Sequence, residues 1–296
     1  SADGSSCAQL SLPPTGSSGN TINGVVWGSS ADHVFVGNSV GRTVHCGAGR
    51  NDCTLMVPDM NHGRDIRSIW GANAENVYIV GNSGLIQRCQ ASTNRCTMLS
   101  GGAISEAVWG SSSEYVYAVG AQSNIGFIAR CRENSQTCVA LQFMPSPALR
   151  AVWGSDAEHV YTAGNAGTIL RCTAANDVCA PINSGTTADL LRIWGDGGDQ
   201  FFVVGDSVIL RCQVSNDSCI SLMPGLTKKF NAIWGSDANN VYAVGEGGSV
   251  VRCSADSNAC TPLTTGVPTA LHSVFGTDSN NIYVVGDSGT ILRRRL

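Results

Sequence analysis

Residues 231–263 read NAIWGSDANNVYAVGEGGSVVRCSADSNACTPL, and the rest of the chain is built of variations on this stretch. Its anchor is an aromatic residue followed by glycine. The same pair recurs at Trp27, Trp70, Trp109, Trp153, Trp194, Trp234 and Phe275, spaced 39 to 44 residues apart, and it uses all six tryptophans of the chain. Each copy divides into four short apolar runs; in this one they are 232–234, 241–244, 249–252 and 260–263. The runs are rich in Val, Ile, Tyr and Trp and are bounded by Gly, Ser, Asn and Asp. That is strand-and-turn punctuation, with no room for a helix of about ten residues. Four strands in a repeat of roughly 40 residues predict one blade of a β-propeller. Seven copies predict an all-β fold, a single seven-bladed β-propeller of four-stranded antiparallel blades.

Composition agrees. A length of 296 residues would ordinarily suggest about two domains, but a closed ring of blades is one. Charged residues make up only 14%, beside 35 glycines, as suits sheets covered on both faces. The net charge of −4 argues against nucleic acid or an anionic membrane as partner, since phosphate binding needs a basic face. No apolar run is long enough to span a bilayer. The opening SADGSSCAQL shows no signal peptide and reads as a mature or trimmed start. It has no lipid-attachment pattern either.

Of 13 cysteines, 12 fall into pairs with six residues between the members: Cys46/Cys53, Cys89/Cys96, Cys131/Cys138, Cys172/Cys179, Cys212/Cys219 and Cys253/Cys260. Each pair brackets the connection between the third and fourth strands of its blade. A hairpin there sets two Cα atoms opposite one another, within disulfide reach. A staple closing so short a loop contributes roughly 2–3 kcal/mol in the chain-entropy model. Six of them imply an oxidising compartment, whether secreted, periplasmic or cell-surface. Zinc is disfavoured, because paired zinc cysteines sit closer in sequence and four ligands must converge. No metal or cofactor is expected.

The expected blades are 24–57, 67–99, 106–141, 150–182, 191–222, 231–263, and 272–294 together with 7–12. Residues 1–6 read as a flexible tail. The segment 7–12, CAQLSL, matches the end of a repeat, while the seventh copy stops after its third strand. The N-terminal segment is therefore expected to close the ring as the outer strand of the last blade, leaving no open sheet edge. In that arrangement Cys7 faces Arg294 rather than a cysteine. It is left unpaired, as a free thiol, as an intermolecular bridge that would make a dimer, or through an altered chain end. The links between blades, at 58–66, 100–105, 142–149, 183–190, 223–230 and 264–271, diverge most.

The second and third strands carry a family resemblance. Residues 160–171 (VYTAGNAGTILR) and 282–293 (IYVVGDSGTILR) resemble the repeats of BNR-type propellers, particularly those of the photosystem II assembly-factor type. The pattern is an aromatic strand, Val-Gly or Ala-Gly, a glycine turn, then Thr-Ile-Leu-Arg. The resemblance implies the propeller fold over the whole chain. Where that family commonly places an Asp-box hairpin, this chain has the cysteine-bracketed one. Nothing in the residues points to a photosynthetic partner.

Repetition separates architecture from function. The repeated Trp, each followed by a glycine expected at a turn, are read as wedges between blades, with stacking on sugars as the alternative. The third-strand arginines Arg88, Arg130, Arg171, Arg211, Arg252 and Arg293, replaced by His45 in the first blade, are read as pairing with repeat acids or covering strand aromatics. Asp156, Asp196, Asp237 and Asp278 suit turns whose backbone amides they accept from; calcium is the weaker reading, since no clustered acidic loop occurs. His33 and His159 are expected to be surface turn residues. No nucleophile–base constellation or phosphate loop is present.

Function is expected where loops converge on one face, around the tunnel mouth. The second-to-third-strand turns present Asn38, Asn82, Gln122, Asn165, Asp206, Glu246 and Asp287 there. The residue three before each aromatic adds Gly24, Arg67, Glu106, Arg150, Leu191, Asn231 and His272. Such a mixed polar ring suits a protein loop or a hydroxyl-rich ligand. The reading is a binding module for a protein or glycan partner. A multivalent lectin with repeated inter-blade sites is one alternative. A tunnel-mouth glycosidase or lyase using Glu106, Asp206, Glu246 or Asp287 as acids is the other.

Overall fold

The computed structural model describes residues 24–47, 53–57, 64–141 and 145–294. Their strands form seven sheets, one per repeat. Each is a meander in which consecutive strands are neighbours, four strands in the first six blades and three in the seventh. The fold is the expected seven-bladed β-propeller. The tail 1–6, the closing segment 7–12 and Cys7 lie outside the described residues. Two compact units are distinguished, Ser1–Ala118 with Ala129–Val139, and Val119–Ile128 with Ala140–Leu296. Blades 1 and 2 belong to the first unit and blades 4 to 7 to the second; the sheet of blade 3 has residues in both.

Blade 6 shows why the repeat folds as it does. Its strands are Phe230–Gly235, Val241–Gly245, Val250–Ser254 and Ala259–Leu263. The second strand is buried at every position, because both its faces meet another sheet. Alternation divides it: Val241 and Ala243 pack with Phe202, Val204 and Ile209 of blade 5, while Tyr242 and Val244 pack with Leu271, Val274 and Ile282 of blade 7. The first unit repeats the arrangement with Phe35 of blade 1 against Ile66, Val77 and Ile79 of blade 2.

The glycine after each tryptophan is not at a turn, as the sequence suggested, but inside the innermost strand. Gly235 belongs to the strand Phe230–Gly235, and a Cβ there would come within 2.6 Å of the Trp194 ring of the preceding blade. The same holds for Gly195 against Trp153 at 2.4 Å and Gly276 against Trp234 at 2.6 Å; in the first unit, Gly71 meets Trp27 at 2.5 Å and Gly110 meets Trp70 at 2.7 Å. In these five pairs the tryptophan is a wedge, as expected, and the glycine is the slot for the wedge of the blade before it.

All six expected disulfides form. The Cα atoms are 4.3 Å apart in Cys46–Cys53, 4.0 Å in Cys89–Cys96 and 4.3 Å in Cys131–Cys138. They are 4.0 Å apart in Cys172–Cys179, 4.1 Å in Cys212–Cys219 and 3.9 Å in Cys253–Cys260. In five blades the bonded cysteines are directly paired residues of the third and fourth strands, as the hairpin argument requires. Blade 3 departs from this. Cys131 ends its third strand, but Cys138 stands just before the short outer strand Val139–Ala140. The Cys138 amide donates to the Ser100 carbonyl at 2.8 Å, in the link that precedes the blade, as the Cys96 amide does to the Val57 carbonyl at 2.8 Å.

The hairpins do more than staple. The fifth residue after the first cysteine takes a left-handed conformation in Asn94, Asp177, Asp217 and Asn258, with φ of 48° to 57°. Asn and Asp tolerate that region better than other L-residues. From there the side chain of Asp217 or Asn94 reaches back to the preceding blade. Asp217 accepts hydrogen bonds from the Tyr161 hydroxyl at 2.7 Å and from Arg171 at 2.9 Å. Asn94 bonds the His45 ring at 3.0 Å. Burial, with the neighbouring Asp217 carboxylate, raises the Tyr161 pKa; burial lifts that of Tyr78 to about 12.

Arg171 pairs with Asp217 and Arg293 lies 5.2 Å from the Tyr283 ring centroid, as expected, but Arg211 and Arg252 donate to the side-chain amide oxygens of Gln200 and Asn240. The turn acids serve their turns as expected. Asp237 accepts from the Asn239 amide at 2.8 Å and from the Asn240 side chain at 2.9 Å. Burial alone would raise its pKa, but these bonds outweigh it and hold the carboxyl below its usual range. His159 bonds Asp156 in the equivalent turn. His33 differs from a simple surface residue: it is half-buried and its Nδ1 lies 3.0 Å from Nε2 of His45.

Candidate functional site

The innermost strand is interrupted near its start in blades 2, 4, 5, 6 and 7. Its register with the second strand jumps between Ile66 and Ser68, Leu149 and Ala151, Leu190 and Arg192, Phe230 and Ala232, and Leu271 and Ser273. The residues stepped over are Arg67, Arg150, Leu191, Asn231 and His272, five of the positions singled out in the sequence. A β-bulge leaves one residue out of the ladder and re-aims its side chain. Blade 1 has no jump there, because Val25 and Val26 pair in sequence with Gly37 and Val36; Gly24 precedes its strand.

Beside each bulge lies the turn between the second and third strands. In blades 4, 6 and 7 the turn residues Asn165, Glu246 and Asp287 accept through their carbonyls from the amide three residues on, at 3.0 to 3.2 Å. The two residues between are left-handed: Ala166 and Gly167, Gly247 and Gly248, Ser288 and Gly289. This is the tight hairpin turn that matches strand twist. Glycine is required at its second left-handed position, since a Cβ on Gly167 would fall 1.9 Å from the Thr186 carbonyl. The backbone amides of Asn165, Asp206, Glu246 and Asp287 donate to Ala148, Asp189, Lys229 and Ala270, in the segment entering the innermost strand. One repeated bond thereby locks turn and bulge together.

In the second unit this device brings expected residues into contact. Arg150 Nε donates to Asn165 Oδ1 at 3.0 Å, and His272 Nε2 lies 2.6 Å from Asp287 Oδ1. Asn231 donates to the Leu271 carbonyl at 3.0 Å, tying blade 6 to blade 7. Asp206 pairs with Lys229 at 3.4 Å. Glu246 and Gln122 are exposed. In the first unit Arg67 and Glu106 form an ion pair through Nη1 and Oε1. Two expected residues serve the turn itself: Asn38 Oδ1 accepts from the amides of Val40 and Arg42, and the Asn82 backbone carbonyl accepts from the Leu85 amide.

Sequence reading missed three contributors. Lys229 and Lys228 come from the link before blade 6, with Lys228 Nζ beside Gly247. Asp189, in the link before blade 5, accepts from the Ala166 amide at 2.8 Å. The signal was available, as these links diverge most, but which link side chain returns to which turn depends on the fold.

Three of the four carboxylates considered as acids are engaged: Glu106 by Arg67, Asp206 by Lys229 and Asp287 by His272. Among the described residues no group of three or more His, Cys, Asp or Glu could hold a metal ion. No helix among them is long and apolar enough to cross a membrane. The chemistry on offer is reversible pairing: cations, amides and carboxylates whose exposed partners an incoming polar chain can replace.

No family model matches the chain, and no curated protein matches it. Solved structures do. The structure described as YCF48 bound to D1 peptide is similar with a TM-score of 0.65 and 12% identity, covering 97% of this chain and 98% of that one. YCF48 from Cyanidioschyzon merolae gives 0.65 and 12%, covering 94% and 97%. The WD40 β-propeller domain of Doa1 gives 0.65 and 14%, covering 88% of each. At these identities the likeness is one of fold: by fold this chain is a seven-bladed β-propeller, similar to the YCF48 structures.

Proposed function

We propose that this protein is a recognition module for a polypeptide partner, working in an oxidising compartment at the bulge-and-turn end of its blades. The observation that carries the reading is the contrast between repeated and unrepeated polar residues. Turn acids and hairpin Asn or Asp recur from blade to blade and serve the fold. Among the bulge residues of the second unit none recurs: along its adjacent innermost strands they run Arg150, Leu191, Asn231, His272. A rigid scaffold presenting a non-repeating row suits one extended, chemically varied ligand. Support by analogy comes from the similar fold that holds a peptide in the YCF48 structure. Six staples favour a secreted, periplasmic or cell-surface setting.

Glycan recognition through repeated inter-blade sites fits less well, because the Trp rings that would stack on sugar are set against the glycines of the next blade. The test is to screen the oxidised protein in parallel against a displayed random-peptide library and a glycan array. Peptide binding is expected at one site per chain. It should weaken at least tenfold, about 1.4 kcal/mol, in R150A/N165A or in H272A/D287A. Affinity unchanged in both variants, or several equivalent sugar sites per chain, would overturn the reading.

A further inference from the structure

The turn of blade 4 carries its own ligand. The Ala166 amide, first of the two left-handed positions, donates to Asp189 Oδ1 at 2.8 Å. Asp189 belongs to the link that leaves blade 4 and crosses this turn, where Ser184 Oγ donates to the Gly167 carbonyl at 2.6 Å. Blade 6 repeats the crossing, with Thr265 Oγ1 donating to the Gly248 carbonyl at 2.9 Å. The two turns therefore match residue for residue: Gly247 stands for Ala166, and Ala270 for Asp189.

With alanine in place of the aspartate, the exposed Gly247 amide has no acceptor among the described residues. A cation stands beside it instead. Lys228 occupies the position that Pro147 holds in blade 4, and its Nζ is 2.9 Å from where a Cβ on Gly247 would lie. No acid among the described residues pairs with it. Relative to blade 4, this turn has lost a carboxylate and gained an ammonium. Blade 7 does not share the arrangement, since Thr269 stands where blade 6 has Lys228.

Lys228 and Gly247 also border a groove of about 370 Å³, lined by Met223, Leu226, Phe230, Val251, Pro262 and Leu263 among others. An amide and an ammonium at the edge of an apolar groove call for a carboxylate with an apolar neighbour.

We propose that the turn of blade 6 reads an aspartate of the polypeptide partner. Its carboxylate accepts from the Gly247 amide and from Lys228, as Asp189 accepts from Ala166 in blade 4, and an apolar residue beside it enters the groove. The inference rests on the proposed polypeptide recognition and names the residue that is read. Aspartate is the choice because the chain itself uses an aspartate on the same backbone geometry. Hydrogen bonds to a charged acceptor are about twice as strong as neutral ones, and an apolar anchor in a groove adds to them. Glu246, exposed in the same turn, opposes an incoming anion, and Lys228 offsets it.

The probe is the chain's own segment TTADLL, residues 186–191, as a peptide blocked at both ends. In amide NMR spectra of the oxidised protein it should shift the Gly247 resonance saturably and leave Ala166, whose acceptor is in place. A probe with asparagine for the aspartate should bind roughly tenfold more weakly, as should the intact probe to K228A. E246Q should bind the intact probe more tightly. A270D restores the blade 4 arrangement within the chain; it should slow exchange of the Gly247 amide towards that of Ala166 and block the probe.

The absence of a saturable shift at Gly247 would overturn the inference, as would equal affinity for the asparagine probe or undiminished binding to A270D. Full binding by an asparagine probe with a free C-terminus would assign the site to a terminal carboxylate and overturn the aspartate reading. Library peptides weakened by R150A/N165A but not by A270D would sink this site and leave the proposed function standing. A library without binders would sink that function, and the Gly247 shift would still decide the site.

Discussion

The two ends of the blades in the second unit use the same residue types for opposite purposes. At the stapled end of blade 5, Asp217 sits in a left-handed position between the bonded Cys212 and Cys219 and reaches the Tyr161 hydroxyl and Arg171 of blade 4. Equivalent positions in blades 2, 4 and 6 hold Asn94, Asp177 and Asn258. At the other end, Arg150 bonds Asn165 within its own blade and His272 bonds Asp287 within its own. There the equivalents are Leu191 and Asn231, which share neither charge nor shape. Polar groups that join blades must fit the same neighbour each time and so are repeated. Polar groups on a bulge have no common partner, since Arg150 and His272 bond within their own blades while Asn231 reaches blade 7, and they are free to differ. The contrast teaches where to look for function in a symmetric repeat: at the positions that repetition does not constrain.

The comparison can be broken most forcefully at the wedges. G235A places a methyl group against the Trp194 ring, and overpacking of this kind should destabilise by about 1–3 kcal/mol in denaturant unfolding. Wild-type stability in G235A would mean that the blades are not held by this contact. Next comes D217A. It removes an acceptor shared by Tyr161 and Arg171, but water reaches the site, so a loss near the low end, about 1 kcal/mol, is expected. By contrast, the R150A/N165A protein made for the binding test should unfold within about 0.5 kcal/mol of wild type. If that pair costs as much as Asp217 does, the two ends are not different in kind.

The smallest effect is silent at neutral pH. Tyr78 is raised to about 12, by burial first, and its hydroxyl donates to the Ser113 carbonyl of blade 3. A group whose folded pKa is raised contributes stability that is complete below its unfolded value of about 10 and is lost as pH rises through the folded value. The unfolding midpoint should therefore be flat to about pH 10 and then fall towards pH 12. Y78F should lessen that fall. An unchanged slope in Y78F would remove Tyr78 from the set of inter-blade bonds that matter.

Much of the architecture was legible in the chain. The Trp-Gly period, the strand runs and the Cys spacing are local patterns, and local patterns report the elements they specify. So the seven blades and all six staples could be read directly, along with the residues that prove to sit on bulges, seen as part of a mixed polar ring. The purpose of the Trp-Gly glycines could not. Nothing near Gly235 in sequence reveals that Trp194, forty-one residues earlier, needs its space. Nor does the even cysteine spacing show that Cys138, unlike Cys96 or Cys179, stands outside its outer strand. The hairpin Asn94 and Asp217 were not singled out in the sequence, because their partners His45 and Tyr161 lie in the blade before. For the carboxylates offered as catalytic acids, the engagement of three of them by Arg67, Lys229 and His272 appears only in three dimensions.

The sequence alone determined the number of blades, the strands within each and the pairing of twelve cysteines, because every one of those features is set within a single repeat of about forty residues. Tertiary structure decided the rest: which tryptophan fills which glycine slot, which hairpin acid meets which tyrosine, and which link lysine returns to which turn. Those contacts are made between repeats, where chain neighbours exert no control and only the packing of one sheet on the next brings the groups together.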